Sequence, residues 1–307
     1  MQSLISRNKW SRLPKKNRIG SFSSSNEEFI PCSSNSNLTG KTHDLMRSLH
    51  QFALLTCVTW TAGLIGVTHA AKKPNALQAT AQRLVSDANA TVVWVRAVVR
   101  IEVSAGGRSF PAQEQKLEAL GTIVDKSGLT VVSNSMIDPT ASIRKQIRSP
   151  GARVNVEFQE VRILLDDGSE IPSRLQLKDS DLDLAFVKPI EGSEELKAAA
   201  IRPVNLRSKV KAAILDEVLV LGKLGRTLYR QPTVGLAHVS SVIEKPRNYY
   251  VISKAMPGAP IFDTRGRLLG IAVYKIASGT PTSIVTLPAE DILEIAEQAK
   301  DRAKNDK

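Results

Sequence analysis

From Asn75 onward the chain alternates short apolar runs with turn residues. Leu77, Ala81, Leu84, Val85 and Ala88 recur at helical spacing, which predicts a short helix from Asn75 to Ala88. Thr91 to Val103 is rich in valine and isoleucine and reads as a strand. Gly121 to Val124 and Leu129 to Val132 read as strands around the turn Asp125-Lys126-Ser127-Gly128. Val154 to Leu165 runs into Asp166-Asp167-Gly168, a strong hairpin signal, and Glu170 to Leu177 returns from it. Leu184 to Lys188, Glu217 to Leu221, Thr233 to Val242, Tyr249 to Ile252 and Leu268 to Tyr274 continue the series. Pro288 then ends the last strand. Ala289 to Ala303 carries Ile292, Leu293, Ile295, Ala296 and Ala299 on one helical face, with acids in its first turn and bases near its end. Short strands at this spacing predict an all-β barrel or sandwich, not a βαβ fold.

The first 70 residues are patterned differently. Phe52 to Val67 is an uncharged apolar run of 16 residues, preceded by Arg47 and followed by the small-residue exit Val67-Thr68-His69-Ala70. That is the form of a secretory signal peptide, and the run is a little short of the roughly 18–20 residues of a spanning helix. An uncleaved N-terminal anchor is the other reading, and a cleaved signal over 46–70 is favoured. Residues 1–45 are basic and then rich in serine and asparagine, without periodicity, so they read as a disordered extension. Met46-Arg47-Ser48-Leu49 would itself open a signal peptide. Both a misassigned start at Met1 and a cytoplasmic tail on an anchored protein fit this arrangement.

Composition sharpens once the chain is divided there. Of 307 residues 42% are hydrophobic and 23% charged, which is globular. The net charge of +12 falls to +7 for the residues after 70. Both cysteines, Cys32 and Cys57, lie before that point, as do three of the four histidines. The part from 71 to 307 therefore has no cysteine for a disulfide, thiolate nucleophile or metal site, and one histidine, His238. Aromatics are 5% and do not interleave with the basic residues, so the stacking platform of a nucleic-acid binder is missing. No cofactor and no metal is expected.

Three segments, in order, resemble the trypsin-like peptidase domain of the HtrA (Deg) family. The first is Leu120-Gly121-Thr122-Ile123-Val124 through Val131-Val132-Ser133-Asn134-Ser135, similar to the strand–turn–strand that leads to that family's catalytic histidine. The second is Val161 to Gly168 followed by Asp181-Leu182-Asp183-Leu184-Ala185-Phe186-Val187-Lys188, similar to the segment holding the catalytic aspartate. The third, Pro257-Gly258-Ala259-Pro260-Ile261-Phe262 and on to Ile271, is similar to the segment around the catalytic serine. The resemblance covers roughly residues 75 to 300 and implies a double six-stranded β-barrel over 75–303, with a short helix before it and one at its end. HtrA proteins usually carry a PDZ domain after this one, and the chain ends too soon for one.

The same resemblance places the catalytic triad. Its serine, histidine and aspartate fall on Pro257, Ser135 and Asp183. Only the carboxylate is kept. Ser135 has no group to take a proton near neutral pH, and Pro257 has no hydroxyl. Proline also lacks the backbone N–H that the family uses there as one of two oxyanion donors. Losing one such donor alone costs roughly 2.7–4 kcal/mol. Ala255 and Ala259 stand where the family has glycine, so the loop path is expected to differ. The resemblance thus implies a kept fold without hydrolytic machinery. Asp183 is expected to be a buried structural carboxylate, hydrogen-bonded by Ser135 and nearby backbone.

Other candidates read as structural. His238 lies within a strand and is expected in the core or on the surface. Ser253 and Lys254 would point to opposite faces of a strand and so form no dyad. Asp179, Asp181 and Asp183 lack a calcium-loop pattern and read as a solvated turn. Arg144, Lys145, Arg148 and Arg153 read as a solvated loop. The expected function is a secreted, periplasmic or envelope-associated pseudoprotease. It would bind an extended peptide or partner protein in a cleft lined by Ser253, Lys254, Ala255, Met256 and Gly258. An active serine endopeptidase with an unrecognised site, and a membrane-anchored structural protein with a basic surface, are the alternatives. The membrane would enter only through an uncleaved 52–67.

Overall fold

A computed structural model describes residues 75–147 and 151–305. The extension over 1–45, the apolar run 52–67 and Arg148 lie outside the described residues. The described residues belong to one compact unit.

The chain opens with α1 (Ala76–Thr91), whose first turn is capped by the Asn75 side chain accepting from Gln78 N–H at 2.7 Å. The first barrel then uses β1 (Val92–Ala105), β3 (Gln113–Ile123), β4 (Thr130–Ser133), β5 (Arg153–Leu164), β6 (Glu170–Asp179) and β7 (Leu184–Pro189). Their order is β1-β3-β4-β7-β6-β5, and pairing of β1 with β5 closes the ring. The two-residue β2 (Arg108–Ser109) only extends the β1 hairpin. The second barrel uses β8 (Glu217–Lys223), β9 (Pro232–Ile243), β10 (Tyr249–Ile252), β11 (Pro260–Asp263), β12 (Leu268–Ala277) and β13 (Thr280–Pro288). It closes in the order β10-β13-β12-β11-β8-β9. Two closed six-stranded antiparallel barrels with a helix at each end are what the resemblance implied.

The predicted helices and strands lie where the periodicity put them, within a few residues. The differences have local causes. The outer half of β3, Gln113 to Leu117, is polar and carries no apolar alternation, because it pairs with β1 on the surface. β11 is four residues long and β13 begins with exposed polar positions, so neither stood out. Arg144 and Lys145 lie in a helix, α3 (Thr140–Gln146), not in a loop, and Arg153 opens β5; all three are exposed. That helix follows the one-turn α2 (Asn134–Ile137), and Ile143 packs on the first core. A short α4 (Glu194–Ala198) follows β7.

Each barrel has its own apolar filling, and one core continues across their junction, joining Leu120, Leu184 and Phe186 to Leu219, Ile261 and Ile271. The terminal helix α5 (Ala289–Asn305) buries Ile292, Ala296 and Ala299 against this core. Its Lys300 reaches the β3–β4 turn of the first barrel, with Nζ 2.9 Å from Asp125. Burial raises the Asp125 carboxyl, but hydrogen bonds from Lys300 and Ser127 outweigh that and hold it below its ordinary value.

Candidate functional site

β4 ends at Ser133 and leads directly into α2, so Ser133, Asn134 and Ser135 sit at the strand–helix corner. The segment before β7 approaches the same corner. Asp183 has φ +59 and is completely buried. A non-glycine residue in the left-handed region is uncommon, and aspartate is among the residues that tolerate it. The local bonds hold it there: Asn134 N–H donates to the Asp183 carbonyl at 2.9 Å.

The Asp183 carboxylate accepts three hydrogen bonds. Ser135 backbone N–H donates to Oδ1 at 2.7 Å, Ser133 Oγ to Oδ2 at 2.5 Å, and Tyr274 backbone N–H to Oδ2 at 2.8 Å. Tyr274 belongs to β12, so the carboxylate bridges the two barrels. Ser135 participates as expected, through its backbone. Ser133 and Tyr274 were not foreseen. Ser133 carried no signal beyond its nearness to Ser135, and a backbone donor has no signature in sequence at all.

Pro257 lies in the turn Met256-Pro257-Gly258-Ala259, closed by Ala259 N–H donating to the Met256 carbonyl at 3.0 Å. Proline at the second position and glycine at φ +88 in the third make this a type II turn. Gly258 is packed against the first barrel so tightly that an added Cβ would lie 1.8 Å from the Leu120 carbonyl oxygen. Its own carbonyl accepts from Thr122 Oγ1 at 2.7 Å, and its N–H donates to Ala272 of β12 at 2.7 Å. Ala272 and Tyr274 are two residues apart on β12, about 7 Å along the strand. Ser135, Asp183 and Pro257 therefore meet at one junction, where β3 and β4 of the first barrel face β12 of the second.

Ala255 and Ala259 stay outside the left-handed region, which is taken instead by Gly258 and by Lys254 at φ +63. Neither alanine is therefore placed in the conformation that favours glycine. Ser253 and Lys254 are exposed in a turn after β10, not in a strand, and Met256 is 39% exposed. Ala255 and Gly258 are buried. Of the five cleft candidates, Ser253, Lys254 and Met256 therefore present side chains to solvent.

His238 lies on β9 between the buried Ala237 and Val239 and points outward, with Nε2 3.9 Å from Glu217. It is a surface residue of the second barrel, paired in register with Glu217 of β8. It is also the only histidine among the described residues. Asp179 accepts from the N–H groups of Asp181 and Leu182 at 3.0 and 2.9 Å, which makes this stretch an Asx-type turn. Among the described residues no group of acids, histidines or cysteines has metal-binding geometry.

A second charged feature lies beside the junction. Lys223 ends β8 with its side chain only 1% exposed, and its Nζ is 2.6 Å from Asp166 in the β5–β6 turn. Burial pushes this ammonium down, as does the Arg230 charge; the bond it donates to Asp166 pushes back, and the net shift is downward. Next to it a Cβ added at Gly222 would lie 3.2 Å from the Met256 methyl, and Trp94 Nε1 of β1 donates to the Leu224 carbonyl at 3.1 Å. Arg230 reaches Glu118 of β3 at 3.4 Å, and Glu118 also pairs with Arg96 at 3.2 Å. These contacts tie the β8–β9 loop to the first barrel.

Residues 119–271 match the family described as trypsin-like peptidase domain. Among solved structures the chain is similar to the serine endoprotease from Yersinia pestis, at 18% identity and a TM-score of 0.46. The match covers 71% of this chain and 65% of that protein.

Proposed function

Because the chain carries a trypsin-like peptidase domain, we propose that it is a non-catalytic member that binds an extended peptide or an extended segment of a partner protein. The observation that carries this reading is the junction itself. It holds a carboxylate engaged by three donors, a serine where a base is needed and a proline where a nucleophile is needed. The carboxylate serves as a tie between barrels and orients no imidazole. A general base must lie within hydrogen-bond reach of the group it deprotonates, and among the described residues the one histidine, His238, faces Glu217 on the outside of the second barrel.

The neighbouring edge of β12 supplies the binding surface. Ala272 N–H and C=O bond to the 256–259 turn, and Tyr274 N–H bonds to Asp183, so both residues direct their backbone groups away from β13. Alternation along an antiparallel strand then puts the Ile276 N–H and C=O, and the Tyr274 C=O, on that same edge. Among the described residues no strand pairs with that edge beyond Tyr274. An extended peptide adds there as a strand, with Lys254 and Met256 exposed beside it. The apolar run Phe52 to Val67 is the reason the proposal sets the domain outside the cytoplasm, secreted or held at the envelope.

Two measurements test the reading. The purified chain should neither digest casein nor react with a serine-directed fluorophosphonate. Turnover abolished by Ser135→Ala or His238→Ala would overturn the non-catalytic assignment. A peptide-array hit should lose roughly 2–10-fold in affinity on Ile276→Pro, the worth of one hydrogen bond. The same substitution should leave the melting temperature nearly unchanged, because that N–H faces away from β13. Unchanged peptide affinity would remove the β12 edge from the proposal.

A further inference from the structure

Away from the junction, one face of the second barrel carries an apolar pair where solvent should be. Ile214 is 60% exposed and Leu215 74% exposed, at the tip of the segment that precedes β8. Leu215 has φ +71, a conformation that crowds the Cβ of a bulky L-residue against its own backbone. It is nonetheless held firmly. Leu215 N–H donates to the Val239 carbonyl at 2.8 Å, and Asp216 N–H donates to the Ala213 carbonyl at 3.1 Å. Asp216 Oδ2 accepts from Ala213 N–H at 2.7 Å. The backbone is strained and over-determined, and its effect is to project two aliphatic side chains into water. Strain retained in this way points to a contact the side chains make.

The surroundings indicate the contact. In the approach to the tip, Val210 and Ala212 pack on the core, which turns Lys209 and Lys211 outward. Lys211, Leu215 and Arg265 line one cleft of about 430 Å³. Arg265 sits in the β11–β12 turn, and its carbonyl accepts from Arg83 of α1 at 3.3 Å. Arg83, Lys209, Lys211 and Arg265 are exposed, and none has an ion pair among the described residues. The acids on this face are otherwise engaged: Asp216 caps the tip, Glu217 faces His238, and Asp263 holds Arg267 at 2.7 Å. An exposed aliphatic pair ringed by unpaired cations is the composition of a surface that meets anionic lipid headgroups.

The path of the chain agrees. Thr80 and Arg83 of α1 cover Gly266 in the same β11–β12 turn, so the start of α1 lies on this face. The sequence ahead of it is Lys72-Lys73, and the apolar run ending at Val67 precedes Asn75 by eight positions. We propose that this face docks on an anionic membrane surface, with Ile214 and Leu215 entering the headgroup region and Arg83, Lys209, Lys211 and Arg265 meeting acidic lipid. This is independent of peptide binding at β12.

The test uses the full chain with Cys32 and Cys57 changed to serine and an environment-sensitive fluorophore on Leu215→Cys. A label on Tyr229→Cys, at the other end of β8, is the control. With vesicles of phosphatidylcholine containing 30% phosphatidylserine, the 215 label should shift to the blue and the 229 label should not. Pure phosphatidylcholine, 0.5 M salt, or Lys209→Glu/Lys211→Glu/Arg265→Glu should each return the 215 emission to its aqueous value. Two results overturn the proposal. One is an aqueous 215 label on anionic vesicles, or a shift shared equally by the 229 label. The other is a concentration-dependent shift without lipid, which would assign the face to a second copy of the chain.

Discussion

Gly258 shows how one residue can fix a junction. Its φ of +88 and its contact with the Leu120 carbonyl leave no room for a Cβ. Gly258→Ala should therefore destabilise by about 2–4 kcal/mol, read by denaturant unfolding. A loss under about 1 kcal/mol would mean that the turn can relax. Asp183→Asn turns an NH₂ toward donors that now meet a carboxylate. It should cost at least about 2 kcal/mol, since hydrogen bonds to charged groups are worth about 1.5–3 kcal/mol each. Lys223 gives a pH signature. Its folded-state pKa lies below the unfolded value of 10.5, so the unfolded chain binds its proton more tightly. Stability should rise as pH climbs from the folded pKa toward 10.5, and Lys223→Met should flatten that alkaline slope. Only part of this was open to sequence reading. Pro257, Ser135 and Asp183 could be singled out by resemblance, because motif order is read along the chain. Ser133 and Tyr274 could not, since they act through contacts made 50 and 91 residues away.

The elements differ in how openly they are written. α5 was legible because an apolar face repeats every three to four residues over its length. Ile292 is completely buried on that face, and Ile292→Ala should cost about 2–5 kcal/mol. The helix is also tied to the first barrel by Lys300 and Asp125. The Asp125 pKa lies below 3.8 in the folded state, so this contribution is present above that value and lost as pH falls through the folded pKa. Asp125→Asn should reduce the loss of stability during acid titration, followed by circular dichroism. The outer half of β3 shows the opposite case. Its residues are polar because both faces of the ribbon there meet water, and pairing with β1 alone makes it a strand.

One apolar core and a set of polar ties run across the junction of the barrels, so the whole unit should unfold in a single transition. Trp94 reports on the join directly, through its bond to Leu224 of the second barrel. With Trp10 and Trp60 changed to phenylalanine, Trp94 fluorescence and far-ultraviolet circular dichroism should give coincident denaturation curves. Separate midpoints would show that the barrels part before they melt. At this scale charge has a local meaning. The net +7 after residue 70 includes many cations already paired with acids, and the face around Leu215 carries four that are not.

Periodicity, turn residues and motif order sufficed for an all-β chain with a helix at each end and for pointing to Ser135, Asp183 and Pro257. Those properties are local, or depend only on which side chains exist, as with His238, the one histidine after residue 70. Where it reaches was decided by tertiary structure, which turned His238 outward on β9. The fold also decided that Asp183 joins two barrels and that Leu215 is held out in water. Each outcome depends on backbone donors, φ values and packing partners brought together from distant parts of the chain. Those are set by how the strands close into barrels, and no run of neighbouring residues encodes them.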